Sequence, residues 1–431
     1  MKYILIVYFI VVSIVLSYRY SKVISNRLSL EKFLYLILGF FYLFIPIIYL
    51  LIFDSLKANT YNFWVLGTEL TFSSMFYTFI IYSLSFLGIF TGFNLGKRVK
   101  IKVRVYEKKD IQKYMYIIVF LACLASLLTF LYAYRVGGIV SAIVEANSFR
   151  GHGEREPPIG QLAKFQPFIL TTTLLLIAYG KGLKYLFLPV AILFLMFEAS
   201  RANFGMFIII IYIFHVNNKS KFNILKLSMP VIIAVFLAVI GNTITNYIST
   251  GLWYVSDSAF YSLISQFSPS FSNILNIQQF TENYGFGFLY DVTSIFPQTL
   301  FGFEKTVKTW QFLTEYYLGG FYTVGIPIDL LSYSFSQFGF FGSFILPFIY
   351  FFIFGVISKY INNMLLIHEN GDVRKITLMV ELICCMFMAS LISWASVDST
   401  VFYGTIKYWF VIILFIYLPF FRMGGRRGED R

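Results

Sequence analysis

Apolar runs long enough to cross a bilayer recur along this chain, and short basic loops separate many of them. A helical span takes about 20 apolar residues, fewer when it is tilted or buried in a bundle. Eleven stretches meet that condition: 3–18, 33–53, 72–95, 113–134, 165–180, 184–198, 202–216, 227–246, 339–358, 376–394 and 402–421. The chain is 58% hydrophobic and only 13% charged, too oily for 431 residues to fold as a soluble domain. The expectation is an all-α, polytopic integral membrane bundle of about 11 transmembrane helices, forming one domain over 1–431. The N-terminal run has no small-residue cleavage site behind it and reads as a retained helix.

Lysine and arginine set the orientation, because they accumulate in short cytoplasmic loops. Arg19, Lys22, Arg27 and Lys32 follow the first run, and eight more lie between Lys97 and Lys113. Lys181, Lys184, Lys219, Lys221, Lys226, Lys359, Arg374, Lys375, Arg422, Arg426, Arg427 and Arg431 continue the pattern on alternate loops, which gathers 24 of the 34 basic residues on one side. The net charge of +13 therefore follows membrane topology and does not call for nucleic acid. The stretch 184–216 could be one broken element or two short spans. Reading it as two keeps the alternation, leaves the N-terminus outside and puts Arg201 at the outer surface.

Two outer loops remain, 136–164 and the long 247–338. A loop that long usually has structure or function of its own. Phe260, Leu263, Ile264 and Phe267 recur at helical spacing behind Ser256 and Asp257; Phe271, Ile274 and Leu275 resume after Pro269. These read as short amphipathic helices lying in the interface plane. The glycine-rich and aromatic segments after them suit a turn-rich or re-entrant surface.

Several chemistries are excluded. No GxGxxG sits between a strand and a helix, and no GxxxxGK[ST] occurs, so nucleotide use is not expected. His152, His215 and His368 are scattered and form no ligand motif; Cys123, Cys384 and Cys385 sit in apolar runs as packing residues. No cofactor and no metal are expected.

What remains is a set of outer arginines and carboxylates. Arginine grips phosphate oxygens through a planar fork. Arg201, Arg150 and Arg135 are the candidates, with Arg155 reading as loop surface and Glu198 as a partner for Arg201. Asp291, Asp329 and Asp398 adjoin apolar segments, where burial makes a carboxyl usable as a general base or acid. The plain alternative for each is a helix cap, as for Asp257.

The order of "SRAN" before an apolar span, a large late loop, "FSPSF", "YDVTSIFP" and "GIPIDLLSYSFSQFGFFGSF" resembles the oligosaccharide repeat-unit polymerases (O-antigen polymerase, Wzy type). It is similar in particular to the branch holding the enterobacterial common antigen polymerase, over most of the chain from about residue 130. That branch carries a histidine near the position of Tyr322, and 247–338 has none, which favours an O-antigen or capsule repeat unit. The resemblance implies a metal-independent membrane glycosyltransferase in the bacterial inner membrane, with its active site facing the periplasm. It would move a growing glycan from undecaprenyl diphosphate to a new lipid-linked repeat unit. Arg201, Arg150 and Arg135 would bind the diphosphate, Asp291, Asp329 or Asp398 would act as base, and Trp310, Phe321 and Tyr322 would stack on sugars. The implied partners are undecaprenyl-diphosphate-linked oligosaccharides, membrane lipids and, as a candidate, a chain-length regulator protein, with no nucleic acid. A flippase for the same lipid would be expected to show related halves and short loops. An O-antigen ligase would be expected to carry a histidine in the large loop.

Overall fold

The computed structural model describes residues 1–23, 28–59, 63–101, 108–145, 158–179, 182–198, 201–219, 259–277, 315, 328–369, 378, 380–386 and 388. Within them the secondary structure is helical. The longer helices are α1 (Lys2–Lys22), α2 (Leu30–Gly39), α3 (Ile45–Leu51), α6 (Phe72–Arg98), α7 (Lys108–Val136), α9 (Phe168–Tyr179), α10 (Lys184–Phe197) and α11 (Arg201–Lys219). Short helices α4 (Phe53–Ala58), α5 (Phe63–Leu66) and α8 (Ile139–Val144) lie in the connections. The large loop contributes α12 (Ala259–Phe267) and α13 (Pro269–Leu275), and α14 (Leu330–Glu369) follows it.

Among the described residues, five helical stretches are long and apolar enough to cross a membrane: Lys2–Lys22, Leu30–Leu51, Phe72–Arg98, Met115–Val136 and Leu330–Leu366. Three shorter apolar helices correspond to the expected spans at 165–180, 184–198 and 202–216. The ambiguous stretch is thus two helices, with Glu198 capping the first. The expected spans 227–246 and 402–421 lie outside the described residues.

Side-chain contacts fix the helix directions. Tyr8 meets Phe79 and Arg19 lies over Phe90, so α1 and α6 run parallel. Glu31 pairs with Lys97, Tyr35 faces Phe90 and Tyr42 faces Tyr82, so the Leu30–Leu51 span is antiparallel to both. On α6, Ser85 donates to the Ser343 carbonyl at 2.9 Å, and Gly96 lies against Phe352 and Gly355, so α14 is parallel to α6. As a result Arg19, Lys22, Lys32, Lys97, Arg98 and Lys359 all fall at one end of the bundle. This basic layer is what the alternation of charge along the sequence anticipates.

The seam between α6 and α14 is made of glycine. Gly88, Gly92 and Gly96 recur every four residues, and a Cβ on any of them would run into the carbonyl oxygen of Phe344, Phe348 or Phe352. Small residues at this spacing let two helix backbones approach, which is how helices pack where lipid supplies no hydrophobic drive. Thr71 starts α6 with a capping box: its hydroxyl accepts from the Ser74 amide, and the Ser74 hydroxyl accepts from the Thr71 amide.

One expectation needs revision. α12 is partly exposed through Phe260, but α13 does not lie flat on a surface. Every residue from Ser268 to Ile277 is buried, with Phe271 packed against Phe9, Tyr49 and Tyr82. Phe271, Ile274 and Leu275 do share a helix, as their spacing predicts. Between the apolar positions, Asn276 donates to Thr68 and Ser272 lies against the Tyr49 hydroxyl, so this polar stripe faces the interior instead of water.

Candidate functional site

α14 is broken. Phe338 leaves helical geometry, and Gly339 takes φ 60°, ψ −144°, a region open to glycine and strained for other residues. Residues 330–337 therefore form a short arm that folds back along the start of the long segment. Gly342 is pressed against the Ser334 carbonyl, and Phe335 meets both Phe340 and Tyr77. The arm runs back into the bundle, and Asp329 sits at its inner tip.

Asp329 is 2% exposed. Its Oδ2 accepts from the amides of Leu331 at 2.9 Å and Ser332 at 3.4 Å, the pattern of an N-cap. The same oxygen accepts from the Tyr42 hydroxyl at 3.2 Å. The Ser332 hydroxyl also lies against the carboxyl, while the buried Tyr82 hydroxyl has no hydrogen-bond partner. Tyr82 interacts electrostatically with Asp329, and Ser332 is on the first turn of the arm. The cap reading is therefore half the answer: the same carboxyl also meets the Tyr42 and Ser332 hydroxyls.

Tyr42 reaches Asp329 because its own helix is irregular. Phe40–Phe44 is a π turn, in which the Ile45 amide bonds back to the Phe40 carbonyl. Pro46 follows, and it has no amide to give the Tyr42 carbonyl four residues earlier. Single π turns inside α-helices are frequent at functional sites. Tyr42, Tyr82 and Ser332 were not singled out from sequence. The available signal was Pro46 inside an apolar run.

A second buried polar patch adjoins the first across Phe271. Asn276 donates to Thr68 at 2.9 Å, the Tyr49 hydroxyl lies against Ser272 and Thr68, and the Ser270 hydroxyl is buried without a hydrogen-bond partner.

The arginine end of the molecule is built separately. Tyr132 of α7 stacks on Phe197 of α10 at 5.7 Å, and these two with Ala133 and Ala142 make a small core of their own. Arg135 lies one turn beyond Tyr132 and is exposed. Arg201 opens α11 four residues after Phe197. At the other end of α11, Asn217 exchanges hydrogen bonds with the Leu28 backbone, its Oδ1 accepting at 3.0 Å and its Nδ2 donating at 3.3 Å. Leu28 adjoins the basic layer. Arg201 is thus about 24 Å away from it along the helix at 1.5 Å per residue. The backbone brings Arg135 and Arg201 to one end of the bundle, opposite the basic layer, though the Arg201 side chain lies outside the described residues. Arg150, Asp291, Asp398, Trp310, Phe321 and Tyr322 also lie outside them.

Among the described residues, no three His, Cys, Asp or Glu side chains come together as a metal site. Comparisons with family models, characterised proteins and solved structures returned no match.

Proposed function

We propose that this membrane-embedded helical protein polymerises undecaprenyl-diphosphate-linked oligosaccharide repeat units into O-antigen or a related surface polysaccharide, at the periplasmic face of the bacterial inner membrane. The observation that carries the reading is the position of Arg201. The Asn217–Leu28 bonds tie one end of α11 to the basic layer, and the Tyr132–Phe197 stack gathers Arg135 near the other. Two arginines at the end opposite the basic layer suit a membrane-anchored diphosphate, whose leaving oxygens want fixed positive charge. Arg150 joins them in the proposal from the loop at 136–164. The attacking sugar hydroxyl wants a base. Asp329 is buried beneath Tyr42 and Tyr82, so it holds the arm, and proton abstraction falls to Asp291 or Asp398. Trp310, Phe321 and Tyr322 supply aromatic faces for the sugars.

One observation favours a second reading, a flippase for the same lipid-linked oligosaccharide. A broken helix with a buried carboxyl partway through the bundle is a feature of transporters. Deleting the gene and separating surface polysaccharide by electrophoresis distinguishes the readings. Loss of the polymerase leaves single repeat units on the lipid core, whereas loss of a flippase or a ligase leaves none.

The point test is Arg201→Ala. Removing a positioned charge at a leaving group costs about 10²–10³ in rate. The variant should be inserted at normal levels while long-chain polymer collapses to single repeats, and Arg201→Lys should recover it only in part. Equal damage from Glu198→Ala, with falling protein levels, would show a structural pair instead. Long polymer from well-expressed Arg201→Ala would remove the diphosphate assignment.

A further inference from the structure

We infer that the loop after α7 begins and ends inside the leaflet opposite the basic layer, where α8 and the turn Gly160–Phe165 rest against lipid hydrocarbon. The apolar run Met115–Val136 has 22 residues. At 1.5 Å per residue it is about 33 Å long, close to the thickness of the hydrocarbon layer, so Val136 marks the boundary of that leaflet. The chain does not leave there. Gly137 (φ 100°) and Gly138 (φ 120°) reverse it. The Gly138 amide donates to the Ala133 carbonyl at 2.8 Å and the Gly137 amide to that of Tyr134 at 3.2 Å, a Schellman closure. Ala142 of α8 then packs with Tyr132, Ala133 and Phe197. Tyr132 precedes Val136 by one turn, about 6 Å inside the boundary. On the return, Gln166 Nε2 donates to the Leu128 carbonyl at 3.3 Å. Leu128 lies two turns before Val136, about 12 Å inside. Both flanks of the loop thus reach below the end of α7.

The side chains at that depth suit lipid. Val140 is 74% exposed and Val144 65%, and Ile139, Leu162 and Phe165 are exposed as well. Apolar side chains gathered in this way on a surface mark contact with a membrane or a partner. The same exposure runs up α7, where Tyr116, Phe120, Leu124, Leu127, Phe130 and Tyr134 form a stripe at helical spacing. On a membrane-embedded helix that stripe meets lipid, and α8 resumes it directly after Gly138. This continuity selects lipid as the occupant over a second copy of the chain. Backbone in hydrocarbon needs its polar groups satisfied. The Ala142 and Glu145 amides bond to the carbonyls of Gly138 and Ser141, and the Leu162 and Gln166 amides to those of Ile159 and Ala163. Arg135, exposed one residue inside the boundary, can extend its charge to the headgroups.

The test uses the full chain in phosphatidylcholine nanodiscs, spin-labelled in turn at Val140→Cys, Val144→Cys and Phe165→Cys. Each carries Cys123→Ser as well; Cys384 and Cys385 are buried, and the Cys123→Ser parent serves as the blank. Collision with oxygen reports hydrocarbon, and collision with a water-soluble nickel chelate reports water. An apolar helix face sinks about 5–10 Å into a leaflet, so the oxygen-to-nickel ratio should exceed that at the exposed Lys100→Cys at least about fivefold. Leu127→Cys, on the stripe of α7, sets the value for hydrocarbon. Nickel collision at these sites equal to that at Lys100→Cys would put the ledge in water and overturn the inference. Labels shielded from both reagents would mean that protein covers the ledge, which would overturn it too, with spin–spin broadening identifying that protein as a second copy. All three positions are exposed, and if one variant is not inserted the other two decide. No glycan enters this readout, so a wet ledge leaves the Arg201 proposal standing, and an active Arg201→Ala leaves the ledge standing.

Discussion

The seam between α6 and α14 and the arm that precedes it belong to one helix, yet they are built on opposite rules. Along the seam, glycines let backbones touch, and Ser85 is buried with its hydroxyl bonded across the interface to Ser343. Along the arm, Ser334 is equally buried and its hydroxyl has no hydrogen-bond partner. The seam pairs the hydroxyl it buries at Ser85. The arm leaves its polar group uncompensated, at a cost of about 1–3 kcal/mol if nothing fills the gap.

Three substitutions press on that contrast. The largest effect belongs to Gly92→Val, since its branched side chain would occupy the space of the Phe348 carbonyl. Overpacking commonly costs about 1–3 kcal/mol, and here backbone must move, so loss of about 3 kcal/mol or more is expected. Fluorescence-detected size exclusion should show little folded protein. Gly39→Ala, where nothing lies within 4 Å, should behave normally. If Gly92→Val folds at wild-type levels, the seam is not what joins the two helices.

Ser85→Ala comes next. It removes a buried bond from the seam and leaves the Ser343 carbonyl short of a donor, which should lower stability by about 1 kcal/mol in a detergent melt. Ser334→Ala should have the smallest effect. It deletes a buried hydroxyl that bonds to nothing, so stability should hold within about 0.5 kcal/mol or rise. Equal losses at Ser85 and Ser334 would erase the distinction between the two regions.

The sequence made the seam and the arm legible to different degrees. Hydropathy located α1, the Leu30–Leu51 span, α6 and the long part of α14, because length and oiliness report on lipid directly. Basic residues sorted the ends, and the shared layer of Arg19, Lys32 and Lys97 follows. The glycine seam was visible as a four-residue spacing at 88, 92 and 96, but averaged hydropathy passes over small residues. Asp329 was picked out as a carboxyl beside an apolar segment, which is correct. That it ends under Tyr42 and Tyr82 was out of reach, because 287 residues separate it from Tyr42 along the chain. α13 shows the other limit. A polar stripe looks the same whether it meets water or a neighbouring serine, so Ser270, Ser272 and Asn273 read as an outer face when they belong to the interior.

The seam also sets an order of assembly. Gly88 waits for Phe344, 256 positions later in the chain, and at synthesis rates of about 5–20 residues per second that wait is about 13–51 s. During this interval α6 stands in the bilayer with its glycine stripe open. Any other helix with a small-residue face could occupy it. The correct partner arrives late and has to displace whatever came first. Close packing against carbonyls that match every four residues gives α14 the means to win that exchange, and a chain cut before residue 344 would leave α6 available to the wrong neighbour.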